Sequence, residues 1–108
     1  MTLENYLGKI LPLKDLINYQ ESAIVSKEIL RENSGTITVF AFDKGQGLSE
    51  HTAPFNATVI VLEGYANVYI NKELNVVKSG EMVIMPANVP HSLTAEERFK
   101  MLLIMIRG

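Results

Sequence analysis

The sequence predicts an all-β protein, a sandwich or barrel preceded by a short, partly helical N-terminal arm. Two observations carry this reading. From Ala23 onward the apolar residues recur with a period of two, in short runs separated by turn residues at spacings of about 8 to 12 positions. No long amphipathic helical pattern is present to cover a parallel sheet, which argues against the α/β class.

The arm comes first. Leu3, Tyr6, Leu7 and Ile10 recur at helical spacing before Pro12, and Leu13, Leu16 and Ile17 suggest a second turn with Asp15 near its start. We expect residues 1–22 to drape over a sheet and residues 23–108 to form the β domain. Ala23–Leu30 reads as the first strand. Asn33-Ser34-Gly35 supplies a turn, and Thr36–Phe42, rich in β-branched and aromatic residues, a second strand. A Gly-bearing loop over Asp43–Gly47 leads to a segment around His51. Ala57–Leu62 and Tyr65–Ile70, joined by Glu63-Gly64, read as a hairpin. Asn71-Lys72 begins a tight turn into Leu74–Val77. The next strand enters through Ser79-Gly80 and runs to Pro86; Ser92–Thr94 and Phe99–Ile106 complete the set.

Composition narrows the function classes. A chain of 108 residues is one domain with room for one core. Its apolar fraction of 47% with 20% charged residues is ordinary for a globular protein. A net charge of −2, with no basic patch, argues against nucleic-acid and anionic-membrane partners. The longest apolar run, Met101–Ile106, is too short to span a bilayer, and the N-terminus lacks signal-peptide features, so a cytoplasmic location is expected. Without cysteine there is neither a disulfide framework nor thiolate chemistry.

The last strand bears on assembly. Phe99, Met101, Leu103 and Met105 form one apolar face. Leu102, Ile104 and Ile106 share the other with Lys100, which marks it as partly solvated. A strand apolar on both faces must be covered on both. One cover is the barrel interior and the other the facing sheet or a second subunit, so we expect a homodimer.

The candidate chemistry sits at two proline-bounded corners. Gly80–Met85 is stopped at Pro86-Ala87-Asn88-Val89-Pro90, which presents His91. His51 precedes a similar corner at Pro54, and the chain holds no third histidine. No nucleophile elbow, phosphate loop or dinucleotide fingerprint accompanies them. Ser49-Glu50-His51 contains triad residue types, but consecutive residues on extended chain face alternately and cannot form a relay.

These residues resemble the cupins, small antiparallel β-barrels of jelly-roll type recognised by two motifs. The first family motif reads G, five residues, H-x-H, three or four residues, E, six residues, G. Here Gly45, His51 and Gly64 match, while Ala53 stands at the second histidine and Ala57 at the glutamate. The second reads G, five residues, P-x-G, two residues, H, three residues, N. Gly80, Pro86 and His91 match, with Asn88 at the glycine and Ala95 at the asparagine. The resemblance spans residues 36–106. It implies the barrel fold and, in typical members, a divalent metal held by three histidines and a glutamate.

Only His51 and His91 remain of that ligand set, and a zinc site usually takes three or four protein ligands. Glu50 alternates to the opposite face; Glu63 shares the parity of Ala57 but lies roughly 20 Å along the strand. Gln46, Asn56 and Asn88 are neutral, weak ligands nearby. Three readings stay open. The pair holds a divalent metal (zinc, nickel, iron or manganese) weakly, completed by water or ligand. Alternatively it hydrogen-bonds a small polar or anionic molecule, or it is structural and satisfied by backbone carbonyls. Motif register turns Ala57, Val59 and Val61 inward, and Ala66, Val68 and Ile70 form one face of the next strand.

The expected ligand-binding set is His51, His91, Phe55, Gln46, Val59, Val61, Phe99 and Met101, with His51 and His91 as the metal candidates. Plain core packing is the competing explanation for the Met-rich wall. The function this implies is small-molecule binding. The alternatives are a metal-dependent oxygenase or isomerase, and a non-catalytic sensor or accessory protein. Fold alone does not choose among them.

Overall fold

The computed structural model describes residues 5–107. Within these residues nine strands form two antiparallel sheets: β1 (Ile24–Glu32), β2 (Gly35–Phe42), β3 (Gly47–His51), β4 (Asn56–Glu63), β5 (Tyr65–Ile70), β6 (Glu73–Lys78), β7 (Met82–Met85), β8 (His91–Thr94) and β9 (Phe99–Ile106). One sheet has the order β1-β2-β9-β4-β7, the other β3-β8-β5-β6. Among the described residues no helix is long and apolar enough to cross a membrane.

The two sheets face each other over one apolar interior. Val59, Val61, Ala66, Val68, Leu93, Phe99 and Met101 are its sealed centre. Phe42 and Phe99, register partners across β2 and β9, stack with centroids 4.5 Å apart and close one end. Each of the valine, leucine, methionine and phenylalanine side chains among these contributes roughly 1.5–3 kcal/mol on burial. The inward parity of Ala57, Val59 and Val61 agrees with the sequence reading.

The expected β4–β5 hairpin does not form. β4 pairs with β7 and β9, whereas β5 pairs with β6 and β8, so the chain changes sheets at Gly64. Gly64 adopts φ +76°, and a Cβ there would stand 2.6 Å from the Arg98 carbonyl oxygen. The hairpins that do form are β1–β2 and β5–β6, the latter turning through Asn71 and Lys72.

The arm packs on the outer face of the larger sheet. A single 3₁₀ turn at Leu13–Asp15 leads into Ile17, which is buried against Val39, Ala41 and Leu62. The helical turn expected to start at Leu3 begins outside the described residues, and from Asn5 the chain makes only a turn at Leu7 and Gly8. Tyr19 locks the arm in place. Its hydroxyl donates to Glu63 Oε2 at 2.5 Å, and Arg98 and Lys100 approach its ring at 4.5 and 5.0 Å. Burial first, then the Glu63 carboxylate, push the Tyr19 hydroxyl above its ordinary range.

Two sequence expectations are corrected here. Lys100 does not mark a solvated face: it is 7% exposed, and its Nζ donates to the Lys14 carbonyl at 2.6 Å. Glu63 does not share the inward parity of Ala57, because β4 is irregular between Val61 and Glu63 and sets Glu63 opposite Lys100.

The glycines at the two ends of this path make a graded test. Gly64→Ala combines left-handed strain with a backbone clash and should cost about 3 kcal/mol or more. Gly80 also has positive φ, +86°, but nothing lies within 4 Å of an added Cβ. Gly80→Ala should therefore cost only about 1–2 kcal/mol. Urea unfolding of both variants checks the order; equal losses would contradict the sheet change as the tighter constraint.

Candidate functional site

His51 and His91 are register partners across β3 and β8, directly opposite each other. Leu48 and Leu93 are partners in the same ladder, and both belong to the interior cluster. Leu48 and His51 are three apart, so strict alternation would aim them at opposite faces. An irregularity in β3 between these two positions absorbs the extra residue and brings His51 to the same side. Glu50, within that irregular stretch, has its carboxylate 3.6 Å from Lys72 Nζ.

The two corners are tied together by main-chain bonds. Asn88, at φ +64°, donates its N–H to the Ala53 carbonyl at 2.7 Å, and Ala87 N–H donates to Asn56 Oδ1 at 2.9 Å. Asn71 N–H donates to the Pro90 carbonyl at 2.8 Å. Asn tolerates the left-handed conformation better than most residues, which lets Asn88 hold this turn.

The imidazoles meet edge to face, centroids 4.4 Å apart, with the two Nε2 atoms 3.2 Å from one another. Nδ1 of His51 lies 2.8 Å from the Ser49 carbonyl oxygen and Nδ1 of His91 3.2 Å from that of Val89. His91 is only 4% exposed, whereas His51 is open to solvent at the mouth.

Beneath the pair is a cavity of about 60 Å³. Ala53 and Ala57 line one side, with Leu48 and Leu93. Met85, Met101, Leu103 and Met105 supply the remaining apolar wall. Of the ligand-binding set expected from sequence, the structure brings His51, His91 and Met101 together here. Val59, Val61 and Phe99 lie in the sealed core and do not reach the cavity. Phe55 is turned to a separate surface depression with Ile84 and Ile106, and Arg107 stands 5.5 Å from its ring. Gln46 stays in the loop before β3, where its carbonyl accepts the Ala95 N–H at 2.8 Å. Leu48 and Leu93 were missed, although each is a lone apolar residue between polar or small neighbours in a short strand. That alternation was the available signal.

Residues 38–106 match the family model for the cupin domain. The chain belongs to the cupin family. A conserved protein of unknown function from Streptococcus pyogenes is 34% identical, with TM-score 0.89 over 100% of this chain and 96% of its own. A cupin 2 conserved barrel domain protein from Leptotrichia buccalis is 41% identical, with TM-score 0.87 over 90% of this chain but only 47% of its own. A cupin superfamily protein from Desulfitobacterium hafniense is 25% identical, with TM-score 0.87 over 94% of this chain and 93% of its own. No protein of curated function matches the sequence.

The cupin metal set is incomplete in this chain. Among the described residues no group of three His, Cys, Asp or Glu side chains is placed to hold an ion. Two nitrogens on a tetrahedral zinc, each at 2.0–2.1 Å, stand about 3.3 Å apart. The His51–His91 spacing of 3.2 Å therefore suits two adjacent ligand positions. Ala53 and Ala57 line the cavity beside the pair and offer no donor atom from their side chains, so the described donor set does not make a resident metal centre.

Burial, followed by the nearness of His51, holds His91 below its ordinary value of 6.5, against a smaller opposing effect of the Val89 carbonyl. Between that depressed value and 6.5 the unfolded chain binds more protons than the folded one, so stability falls as pH drops through the window. Urea midpoints should therefore decline on the acid side of about pH 6.5, and His91→Leu should show a smaller decline. An unchanged acid-side slope in the variant would contradict this environment for His91.

Proposed function

We propose that this cupin barrel binds a small, largely apolar molecule in the cavity beneath His51 and His91. The observation that supports it most is the contrast within one cavity. Eight apolar side chains surround it, and among the described residues the polar side chains that line it are two imidazoles converging at the mouth. An apolar pocket with a few convergent polar groups is the common form of a small-molecule site. The test is a fragment titration followed by methyl NMR. Binding should shift Met85, Met101 and Met105 together, and the His51→Ala/His91→Ala double variant should lose most of the affinity. Shifts confined to the outer surface would overturn the reading.

A second reading is favoured by the spacing of the two Nε2 atoms. The pair holds a divalent metal weakly (zinc, nickel, iron or manganese), with water or the ligand filling the remaining positions. After chelation, the wild type should take up one of these ions per chain at millimolar concentration, and the double variant should not. Equal metal content in both would remove this reading.

The outer sheet face supports a homodimer. The arm covers one part of it, but Met82, Ile84 and Ile106 are 59%, 50% and 63% exposed on the remainder. Register places Ile84 beside Thr58, Thr58 beside Ile104 and Ile104 beside Ile37, so the uncovered apolar residues are contiguous. Patches of this kind mark interfaces more often than free surface. Light scattering at micromolar concentration should give a dimer mass, and Ile84→Glu/Ile106→Glu a monomer. A monomeric wild type would contradict the proposal.

A further inference from the structure

We propose that the His51–His91 cavity selects a small neutral molecule bearing a hydroxyl group and rejects a carboxylate of the same shape. This rests on the small-molecule reading above and specifies its ligand class. Each Nδ1 faces a backbone carbonyl, Ser49 for His51 and Val89 for His91. A carbonyl oxygen has no proton to give, so each Nδ1 carries the ring hydrogen. A neutral imidazole has only one N–H, and both Nε2 atoms are therefore acceptors. The 3.2 Å contact between the two Nε2 atoms has hydrogen-bond length, but in the neutral pair both ring hydrogens are committed to the carbonyls and none is left for it. The pair is electrostatically complete only when something donates to it.

The lining residues then sort the donors. An ionised carboxylate offers acceptors alone and would set lone pairs against lone pairs. It would also lose its hydration among alanine, leucine and methionine side chains. A protonated amine could donate, but no lining residue carries a negative charge to offset it. Glu50, the nearest carboxylate in sequence, is engaged with Lys72. A neutral O–H group satisfies the pair without burying charge. Size sets the rest. The cavity holds about 60 Å³. A cavity of about 150 Å³ takes benzene, so this one takes roughly two to four non-hydrogen atoms. The ligand is a short-chain alcohol, or the alcohol end of a longer molecule whose body leaves past the exposed His51.

The test uses the chelator-washed full chain with two probes of four non-hydrogen atoms each, 2-propanol and acetate, above about pH 7.5, where free imidazole is neutral. Saturation of the Met85 and Met101 methyl shifts gives each affinity. The alcohol should bind at least about fivefold tighter than acetate, the scale of one net hydrogen bond. The His51→Leu/His91→Leu variant, which keeps an apolar wall, should lose that preference. Acetate binding as tightly as the alcohol at these methyls, or a preference retained in the variant, overturns the hydroxyl selection and leaves the pocket reading standing. If neither probe nor any other fragment shifts Met85 and Met101, the pocket reading falls and this inference with it.

Discussion

At Gly64 the chain leaves one sheet and enters the other, and the barrel interior depends on that step. β4 and β5 are adjacent in sequence, yet each must lay its apolar face against the other's sheet. Only a residue without a Cβ can pass so close to the Arg98 carbonyl at positive φ. Once the crossing is made, Val59 and Val61 face Ala66 and Val68 across the core, and Phe42 with Phe99 seals one end. The opposite end stays open between β3, β7 and β8. The site is the unsealed end of the same core, which explains why its wall is hydrophobic.

What distinguishes that end is how little holds the histidines and how firmly. Neither ring is oriented by a carboxylate. Each is oriented by a backbone carbonyl two residues earlier in its own strand or corner, so the orientation depends on local chain path more than on neighbouring side chains. The irregular step in β3 and the bonds between the two corners set that path. With alanine at positions 53 and 57, the polar side chains among the described residues lining the cavity are the two imidazoles. On our proposal such a site favours a hydrogen-bond donor over a metal.

Most of the fold was legible because alternation is a local signal. Phe99–Ile106 and Tyr65–Ile70 keep the bounds read from sequence, and the inward parity of Ala57, Val59 and Val61 holds. The misreadings share a different cause. Glu63-Gly64 has the chemistry of a turn whether the next strand pairs back or changes sheets; the deciding contact, with Arg98 and Phe99, is thirty-odd residues away in sequence. β3 was hidden because Ser49-Glu50-His51 lacks β-branched residues and its irregularity breaks the period. Lys100 looked like a solvent marker because nothing local shows that the arm brings it a carbonyl. For the site, motif spacing located both histidines, but the side taken by Phe55 depends on the path out of the Pro54 corner, which composition does not encode.

The central claim is that both Nε2 atoms are unprotonated acceptors, 3.2 Å apart, with each ring held by an Nδ1–H bond to a carbonyl. Nitrogen-15 NMR of the imidazole rings tests it most directly, on the ligand-free, chelator-washed protein above the histidine titration range. The account predicts that both rings show a protonated Nδ1 and a bare Nε2. A proton found on Nε2 of either ring would contradict it.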